Sequence, residues 1–240
     1  MTHQPNLGSF PSGGLAVVVG ASGGIGAAVA TAIGASGVFA HVLEASRSGQ
    51  PSYDITREDH VAALAGQIKA TGHDLRLVFD ATGYLHGPHG GPEKSWSAID
   101  STAMAHQFAV NTIGPALLIK HLLPLLPREG KAVFATISAK VGSISDNQLG
   151  GWYGYRSAKA ALNQIVKTAS IELARKRPEA ICLALHPGTV ATPLSDPFAK
   201  QNIRLQTPQE SAALMLQVIN NASTAQSGQL IAYDGTILPY

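Results

Sequence analysis

The stretch VVVGASGGIGAA, residues 17–28, constrains the fold of this chain more than any other part of the sequence. A β-branched run ends at Gly20, and an alanine-rich segment of helical composition follows Gly24 and Gly26 directly. A strand that passes through a short glycine loop into a helix begins a parallel β-α-β unit. The loop then presents backbone N–H groups and the positive end of the helix at one point. The segment therefore predicts an α/β fold with an anion-binding loop after the first strand.

The rest of the chain repeats this alternation of short strands and longer helices. The strand candidates are residues 15–20, 37–45, 75–81, 131–138, 181–187 and 228–234. The helix candidates are residues 24–34, 57–71, 97–126, 154–177 and 207–223. Pro115 predicts a kink or a break in the longest of these helices.

The arrangement of these segments predicts one domain. No repeat or linker divides them, so we expect a single doubly wound Rossmann fold over residues 1–240, with helices on both faces of a parallel sheet. Residues 1–13 are polar and rich in Gly, Pro and Ser. They are expected to form a flexible N-terminus.

Composition excludes several kinds of partner. Only 13% of the residues are charged, the net charge is +2, and no basic run is long enough to follow a phosphate backbone, so we expect no nucleic acid. The N-terminus lacks the order of a signal peptide, and no apolar run approaches the ~20 residues that span a bilayer. The single cysteine, Cys182, excludes a disulfide within the chain. We therefore expect a cytoplasmic protein with no membrane partner.

A glycine loop between a strand and a helix is typical of sites that hold the pyrophosphate of a dinucleotide, and the residues after the second strand predict which dinucleotide is bound. Ser46 and Arg47 lie about twenty residues beyond the loop, where an adenosine ribose would lie. A carboxylate there would repel a 2′-phosphate, whereas Ser46 and Arg47 favour one, so NADP(H) is predicted over NAD(H). Glu44 is the competing residue, and a solvated loop arginine is the alternative interpretation of Arg47.

The stretch GGWYGYRSAKAALN, residues 150–163, contains two tyrosines and a lysine. Positions four apart share a helix face, so Tyr155 and Lys159 can contact one ligand, whereas Tyr153 lies on another side. A phenol has a pKa of ~10 and needs a nearby cation to exchange protons near neutrality. Lys159 is expected to supply that cation and to lower the pKa of Tyr155. An exposed helix pair is the alternative for a Tyr and a Lys at this spacing.

Four motifs in this order, GASGGIG, SAKVGSISDN, YRSAK and HPGTVAT, resemble those of the short-chain dehydrogenase/reductases. PEKSW and YDG extend the resemblance to the C-factor-like branch, which also holds small carbonyl reductases. The resemblance implies hydride transfer between a nicotinamide cofactor and a small carbonyl or alcohol substrate. Tyr155 would be the general acid in reduction and the base in oxidation, and Lys159 would bind the nicotinamide ribose. Asn111 matches an asparagine that holds a water in the proton relay, with a structural helix asparagine as the alternative.

The resemblance also implies which residues bind the cofactor. The Val190 backbone and the Thr192 side chain would bind the nicotinamide carboxamide, and Asp54 would bind the adenine amino group, cap helix 57–71, or do both. Tyr155 and Lys159 would contact the cofactor as well. The remaining expected cofactor residues are Gly20, Ser22, Gly24, Ile25, Gly26, Ser46, Arg47, Ala81, Gly83, Pro187 and Gly188.

The sequence departs from the family pattern in two motifs. Family members carry two serines after the fourth strand, the second of which contacts the substrate oxygen, whereas Ser138 is followed here by Ala139. Ser138 is the leading candidate for the catalytic hydroxyl, and Ser143 is the reserve. In FDATG, residues 79–83, Asp80 and Ala81 replace two asparagines. We interpret that change as one of detail that leaves the fold intact.

Substrate choice is expected to lie in two loop-like segments, residues 83–96 and 192–206. The second segment would close over bound cofactor, with Leu194 and Phe198 facing the substrate. His86 and His89 lie three apart, but no Cys or carboxylate completes a ligand set, so no metal site is predicted.

Two further expectations concern assembly and function. Helices 97–126 and 154–177 are candidates for the interface of a homodimer or homotetramer. The alternative function is that of a catalytically weak, cofactor-binding regulatory or signalling protein. The displaced serine favours this alternative, whereas Tyr155, Lys159 and Asn111 favour an enzyme.

Overall fold

Seven strands form one sheet in the computed structural model, which describes residues 6–198 and 205–240. They are β1 (Leu15–Val19), β2 (His41–Ala45), β3 (Leu75–Asp80), β4 (Ala132–Ile137), β5 (Ala180–His186), β6 (Leu230–Ala232) and β7 (Ile237–Leu238). Their order is β2-β1-β3-β4-β5-β6-β7, with β7 antiparallel to β6 and the other pairs parallel. The chain reverses direction across the sheet between β1 and β3, where doubly wound folds bind ligands. The predicted α/β fold is confirmed.

Helices cover both faces of this sheet. They are α1 (Gly24–Ser36), α2 (Glu58–Ala70), α3 (Ser101–Phe108), α4 (Gly114–Leu122), α5 (Tyr153–Lys176) and α6 (Pro208–Asn221). Val17 of β1 lies in one core with Leu162 of α5, and Val18 lies in the other with Leu216 of α6. Because both faces of each central strand are buried, these strands have continuous apolar sequences.

The long helical pattern at residues 97–126 is interrupted. A π-helical segment, Ala109–Ile113, separates α3 from α4 just before Pro115, so the expected irregularity is present. By length and composition alone, the helical run Ser101–Leu125 could cross a membrane. The core helix of a folded domain has the same properties, and here α3 packs on α5 while α4 packs on α2 and α5.

The structure corrects the predicted flexible N-terminus for residues 6–13. Leu7 and Phe10 are buried, and the rings of Phe10 and Phe39 are 5.4 Å apart. These two apolar side chains belong to the core on the α1 and α6 face of the sheet. The prediction was based on the Gly, Pro and Ser content of the segment and did not take them into account. Residues 1–5 lie outside the described residues.

Candidate functional site

A cavity of about 700 Å³ opens at the carboxyl ends of the central strands. This volume is typical of sites for small ligands. Thirteen of the predicted site residues line it: Ser22, Gly24, Ile25, Gly26, Ala81, Gly83, Ser138, Tyr155, Lys159, Pro187, Gly188, Val190 and Thr192. Residues scattered along the sequence are thus brought to one place by the parallel sheet.

The glycine loop fits a phosphate group. Gly20 has φ 81°, in the left-handed region, and a Cβ on Gly26 would lie 2.2 Å from the Gly20 carbonyl oxygen. Gly23 caps α1 without a side-chain hydrogen bond among the described residues, and the first turn of α1 contains no acid. The backbone N–H groups at this helix start are therefore available to an anion such as a pyrophosphate.

Ser46 and Arg47 follow the end of β2, and neither they nor Asp54 are among the described residues that line the cavity. Burial disfavours the Asp54 carboxylate, but hydrogen bonds from Thr56 and the nearby Arg47 charge outweigh it and lower the pKa of Asp54. The Asp54 side chain accepts from the Thr56 N–H at 2.9 Å, ahead of α2, so within the described chain it closes a turn before the helix. Glu44, the competing residue, is exposed within β2, and Ala45 is buried. Ser46 and Arg47 are therefore the candidates that lie beyond the end of the strand.

Tyr155 and Lys159 both line the cavity, one helical turn apart on α5. Lys159 Nζ donates to the Ile137 carbonyl at 2.8 Å and lies 5.8 Å from the centroid of the Tyr155 ring. Burial raises the pKa of Tyr155 to about 12 and lowers that of Lys159 to about 8. The expected lowering of the Tyr155 pKa is therefore wrong for the protein alone, because burial of the phenol raises it. At neutral pH Tyr155 is protonated and can donate a proton.

Asp80 has a larger part in the site than the sequence suggested. It is fully buried, and its carboxylate accepts from the Thr82 hydroxyl at 2.6 Å and the Thr136 hydroxyl at 2.7 Å. Burial raises the pKa of Asp80, and the Lys159 charge opposes that rise. In return, the Asp80 charge counteracts the lowering of the Lys159 pKa by burial. The available signal was a carboxylate at the end of a central strand, where buried charges tune active sites.

Ser138 lies at the cavity, whereas Ser143 is buried and is not among the described lining residues. The Ser138 hydroxyl donates to Asn163 Oδ1 at 2.7 Å. Ser143 Oγ accepts from the Asp146 N–H at 3.2 Å. The geometry favours Ser138 over Ser143 as the hydroxyl near the substrate, although its proton is already donated to Asn163.

Asn111 lies in the π-helical segment and is fully buried. Its Nδ2 donates to the Tyr84 carbonyl at 2.8 Å and to Gln107 Oε1 at 2.7 Å, and its Oδ1 accepts from the Tyr84 N–H at 3.0 Å. The side chain thus holds the start of the loop at residues 83–96, which is the structural alternative for Asn111. Its role in a proton relay stays a prediction.

Ser195, which the sequence analysis did not single out, orders the segment after β5. Its hydroxyl lies 3.1 Å from Thr192 Oγ1 and donates to the Val190 carbonyl. Thr192 also lies close to the glycine loop, because a Cβ on Gly24 would come within 3.0 Å of Thr192 Cγ2. Ser195 therefore fixes the two residues that are expected to bind the carboxamide.

The two segments expected to select the substrate meet across the cavity. His86 Nε2 lies 3.1 Å from the Pro193 carbonyl oxygen, and the His86 and Phe198 rings are 5.4 Å apart. Leu194 and Phe198, which are predicted to face the substrate, line the cavity. Trp152 lines it too and was not predicted; its ring centroid lies 5.3 Å from that of Phe198 and 6.2 Å from that of Tyr155. Residues 199–204 of the expected closing segment lie outside the described residues.

His86 and His89 point to different neighbours. The His89 ring stacks on His106 at 4.0 Å, away from the His86 contacts. Within the part of the chain that the structure describes, no group of three or more His, Cys, Asp or Glu side chains could hold a metal ion.

Comparisons with known proteins identify the family of this chain. Residues 20–235 match the family model described as "Enoyl-(Acyl carrier protein) reductase". The 1-hydroxy-2-glutathionyl-2-methyl-3-butene dehydrogenase of Rhodococcus sp. (strain AD45) is 33% identical over 191 residues, which are 80% of each chain. The C-signal protein of Myxococcus xanthus is 36% identical over 143 residues, 59% of this chain and 81% of that protein.

A solved structure matches nearly the full length. The NADPH-bound carbonyl reductase from chicken fatty liver aligns with a TM-score of 0.82 and 25% identity, over 95% of this chain and 99% of that one.

The fold and the site together define a nicotinamide-dependent oxidoreductase of the alcohol and carbonyl type. The chain belongs to the short-chain dehydrogenase/reductase family. The predicted family, including its likeness to the C-factor-like branch, is confirmed.

Proposed function

We propose that this oxidoreductase acts as an NADP(H)-preferring reductase of small carbonyl compounds. The observation that carries the proposal is the position of the Tyr155 phenol at the wall of the cavity that the glycine loop also lines, one helical turn from Lys159. The glycine loop would hold a nicotinamide dinucleotide, which would supply a hydride for the carbonyl carbon. Tyr155 gives its proton to the carbonyl oxygen, and an alcohol results.

Lys159 supports this proton transfer through its charge. Its ammonium lies beside the Tyr155 ring and stabilises the phenolate that forms when the proton leaves. Asp80 favours the protonated form of Lys159 from behind the cavity wall. A second donor to the carbonyl oxygen would be Ser138, once its proton turns away from Asn163.

The first experiment follows NADPH oxidation with a panel of aldehydes, ketones and quinones. We expect Tyr155→Phe and Lys159→Ala each to lower kcat by about 10²- to 10⁴-fold while NADPH still binds. Tyr153→Phe is the matched control, because Tyr153 lies two residues before Tyr155 on another side of the helix and is not among the described residues that line the cavity. Full turnover in Tyr155→Phe would overturn the assigned proton donor.

The proposed preference for NADP(H) rests on the Ser46 and Arg47 pair at the end of β2. We expect Arg47→Ala to raise the Kd of NADPH by about ten-fold and to leave that of NADH nearly unchanged, since one charge-assisted phosphate contact is lost. Fluorescence titration measures both values, with the exposed Arg128→Ala as a control. An equal loss for the two cofactors would contradict the preference.

A cofactor-binding regulatory protein is the second candidate. Ala139 at the expected serine position and the donation of the Ser138 proton to Asn163 favour it, because both weaken stabilisation of the substrate oxygen. NADPH binding without reduction of any compound on the panel would support this candidate over the reductase.

A further inference from the structure

Three cationic side chains, and no carboxylate of the described residues, line the cavity. Lys140, Arg156 and Lys159 line it, and no Asp or Glu does so within residues 6–198 and 205–240. Asp80 balances Lys159 from behind the wall. Glu93, under the start of α5, directs both carboxylate oxygens to the Gly154 N–H at 3.1 Å. Of the other two lining cations, Arg156 has no ion pair among the described residues, and Lys140 has only an exposed pair with Asp146. Lys140 lies two residues after Ser138, and Arg156 directly follows Tyr155, so both lie at the end of the cavity where the substrate is expected.

Lys140 is placed to contact a ligand. It follows Ala139 directly, and its side chain is half exposed. Its ammonium lies 3.5 Å from Asp146, in an exposed pair that a ligand carboxylate can replace at little cost. Burial lowers the pKa of His186 to about 4, and the Lys140 charge acts in the same direction. The neutral His186 at the cavity wall thus lies within the field of the Lys140 ammonium.

Arg156 is held rigidly beside the same region. Its Nε donates to the Gly151 carbonyl at 3.0 Å and its Nη1 to the Val141 carbonyl at 3.2 Å. A guanidinium has five N–H donors, so these two bonds fix its position and leave others for a ligand. A preorganised guanidinium suits a carboxylate.

The remaining wall at this end is apolar. Leu149, Trp152 and Phe198 line it, and Leu149 is 81% exposed in the protein alone. An apolar wall with cations at its edge matches an organic anion that has an apolar body.

We propose that the substrate is a carbonyl compound with a carboxylate on an apolar body, and that Lys140, with Arg156, binds this carboxylate. The inference rests on the proposed reductase function. The carbonyl carbon gains a hydride from NADPH and its oxygen gains the Tyr155 proton, so the products are an alcohol and NADP⁺. The carboxylate is unchanged by the reaction and serves only to hold the substrate.

The test compares matched substrates in one assay. Formylbenzoates and ω-oxo carboxylic acids are each paired with their methyl esters, and kcat/KM is measured from NADPH oxidation. In the wild type we expect the acids to exceed the esters by about ten-fold, through a lower KM. Lys140→Gln is expected to bring this ratio to about one. Lys69→Gln, an exposed lysine at the end of α2, should keep the wild-type ratio.

The outcomes separate this inference from the function on which it rests. Esters that are reduced as well as the acids by the wild type would overturn the carboxylate site and leave the reductase intact. An acid preference that survives Lys140→Gln would overturn the assignment to Lys140. If the protein binds NADPH but reduces neither the acids nor the esters, the reductase function is overturned, and the proposed substrate class with it.

Discussion

The charges behind the cavity wall set the pH range in which Tyr155 can work. Tyr155 is a proton donor at neutral pH because burial raises its pKa to about 12. Lys159 helps only while it is protonated, and burial lowers its pKa to about 8, with Asp80 opposing the change. Carbonyl reduction should therefore slow as pH rises through about 8, where Lys159 loses its proton.

This coupling predicts the effect of Asp80→Asn. The amide keeps the shape of Asp80 and can still bond Thr82 and Thr136, but it removes the negative charge that favours protonated Lys159. We expect the alkaline fall of kcat/KM to move to lower pH. Asp74→Asn, which alters an exposed carboxylate paired with Arg76, should leave the profile in place. A profile that stays fixed or moves upward in Asp80→Asn would show that Asp80 does not tune Lys159.

At the scale of elements, the start of α1 is held in place by a close backbone approach. A Cβ at Gly26 would meet the Gly20 carbonyl oxygen at 2.2 Å, so Gly26→Ala must displace the helix or the loop. We expect a loss of about 1–3 kcal/mol of stability and weaker NADPH binding. Thermal unfolding and titration with NADPH measure the two effects.

Gly34 gives a matched control in the same helix. A Cβ there meets nothing within 4 Å, so Gly34→Ala should stabilise the protein by about 0.5–1 kcal/mol and leave NADPH binding unchanged. If Gly26→Ala binds NADPH as tightly as Gly34→Ala and the wild type do, the proposed role of the glycine loop in cofactor binding is contradicted.

The strands and helices could be predicted from the sequence where a local pattern of apolar residues determines them. The strands β1 and β3 to β5 are buried on both faces, so their apolar runs end close to the predicted positions. The π-helical segment and the short antiparallel β7 were not foreseen, since neither has a distinctive sequence period.

The features of the candidate site also fall into those that the sequence predicts and those that it does not. Tyr155, Lys159 and the glycine loop follow from spacing within one element. By contrast, Trp152 against Phe198, Ser195 on Thr192, and the raised pKa of Tyr155 depend on contacts between distant segments and on burial. Single-sequence spacing carries no information about these.

At the scale of the whole molecule, α4 and α5 present a second concave surface away from the candidate active site. A cavity of about 470 Å³ lies between them, lined by apolar residues such as Leu123 and Ile165 and by charged residues such as Glu172 and Lys176. The sequence predicted that helices 97–126 and 154–177 join copies of the chain. We propose that this surface is the interface of a homodimer or homotetramer, because subunit interfaces combine apolar residues at their centre with charged residues at their edge.

Light scattering on the purified protein tests this interface. We expect a mass of at least twice the 24.9 kDa of one chain for the wild type. Ile165→Asp should shift the mass toward one chain, because a carboxylate buried at the contact loses its hydration without a partner. Leu214→Asp changes a partly exposed leucine of α6 on the opposite face of the sheet and should keep the wild-type mass. A folded Ile165→Asp that retains the full assembly would place the interface elsewhere, and a wild type of 24.9 kDa would exclude a stable oligomer.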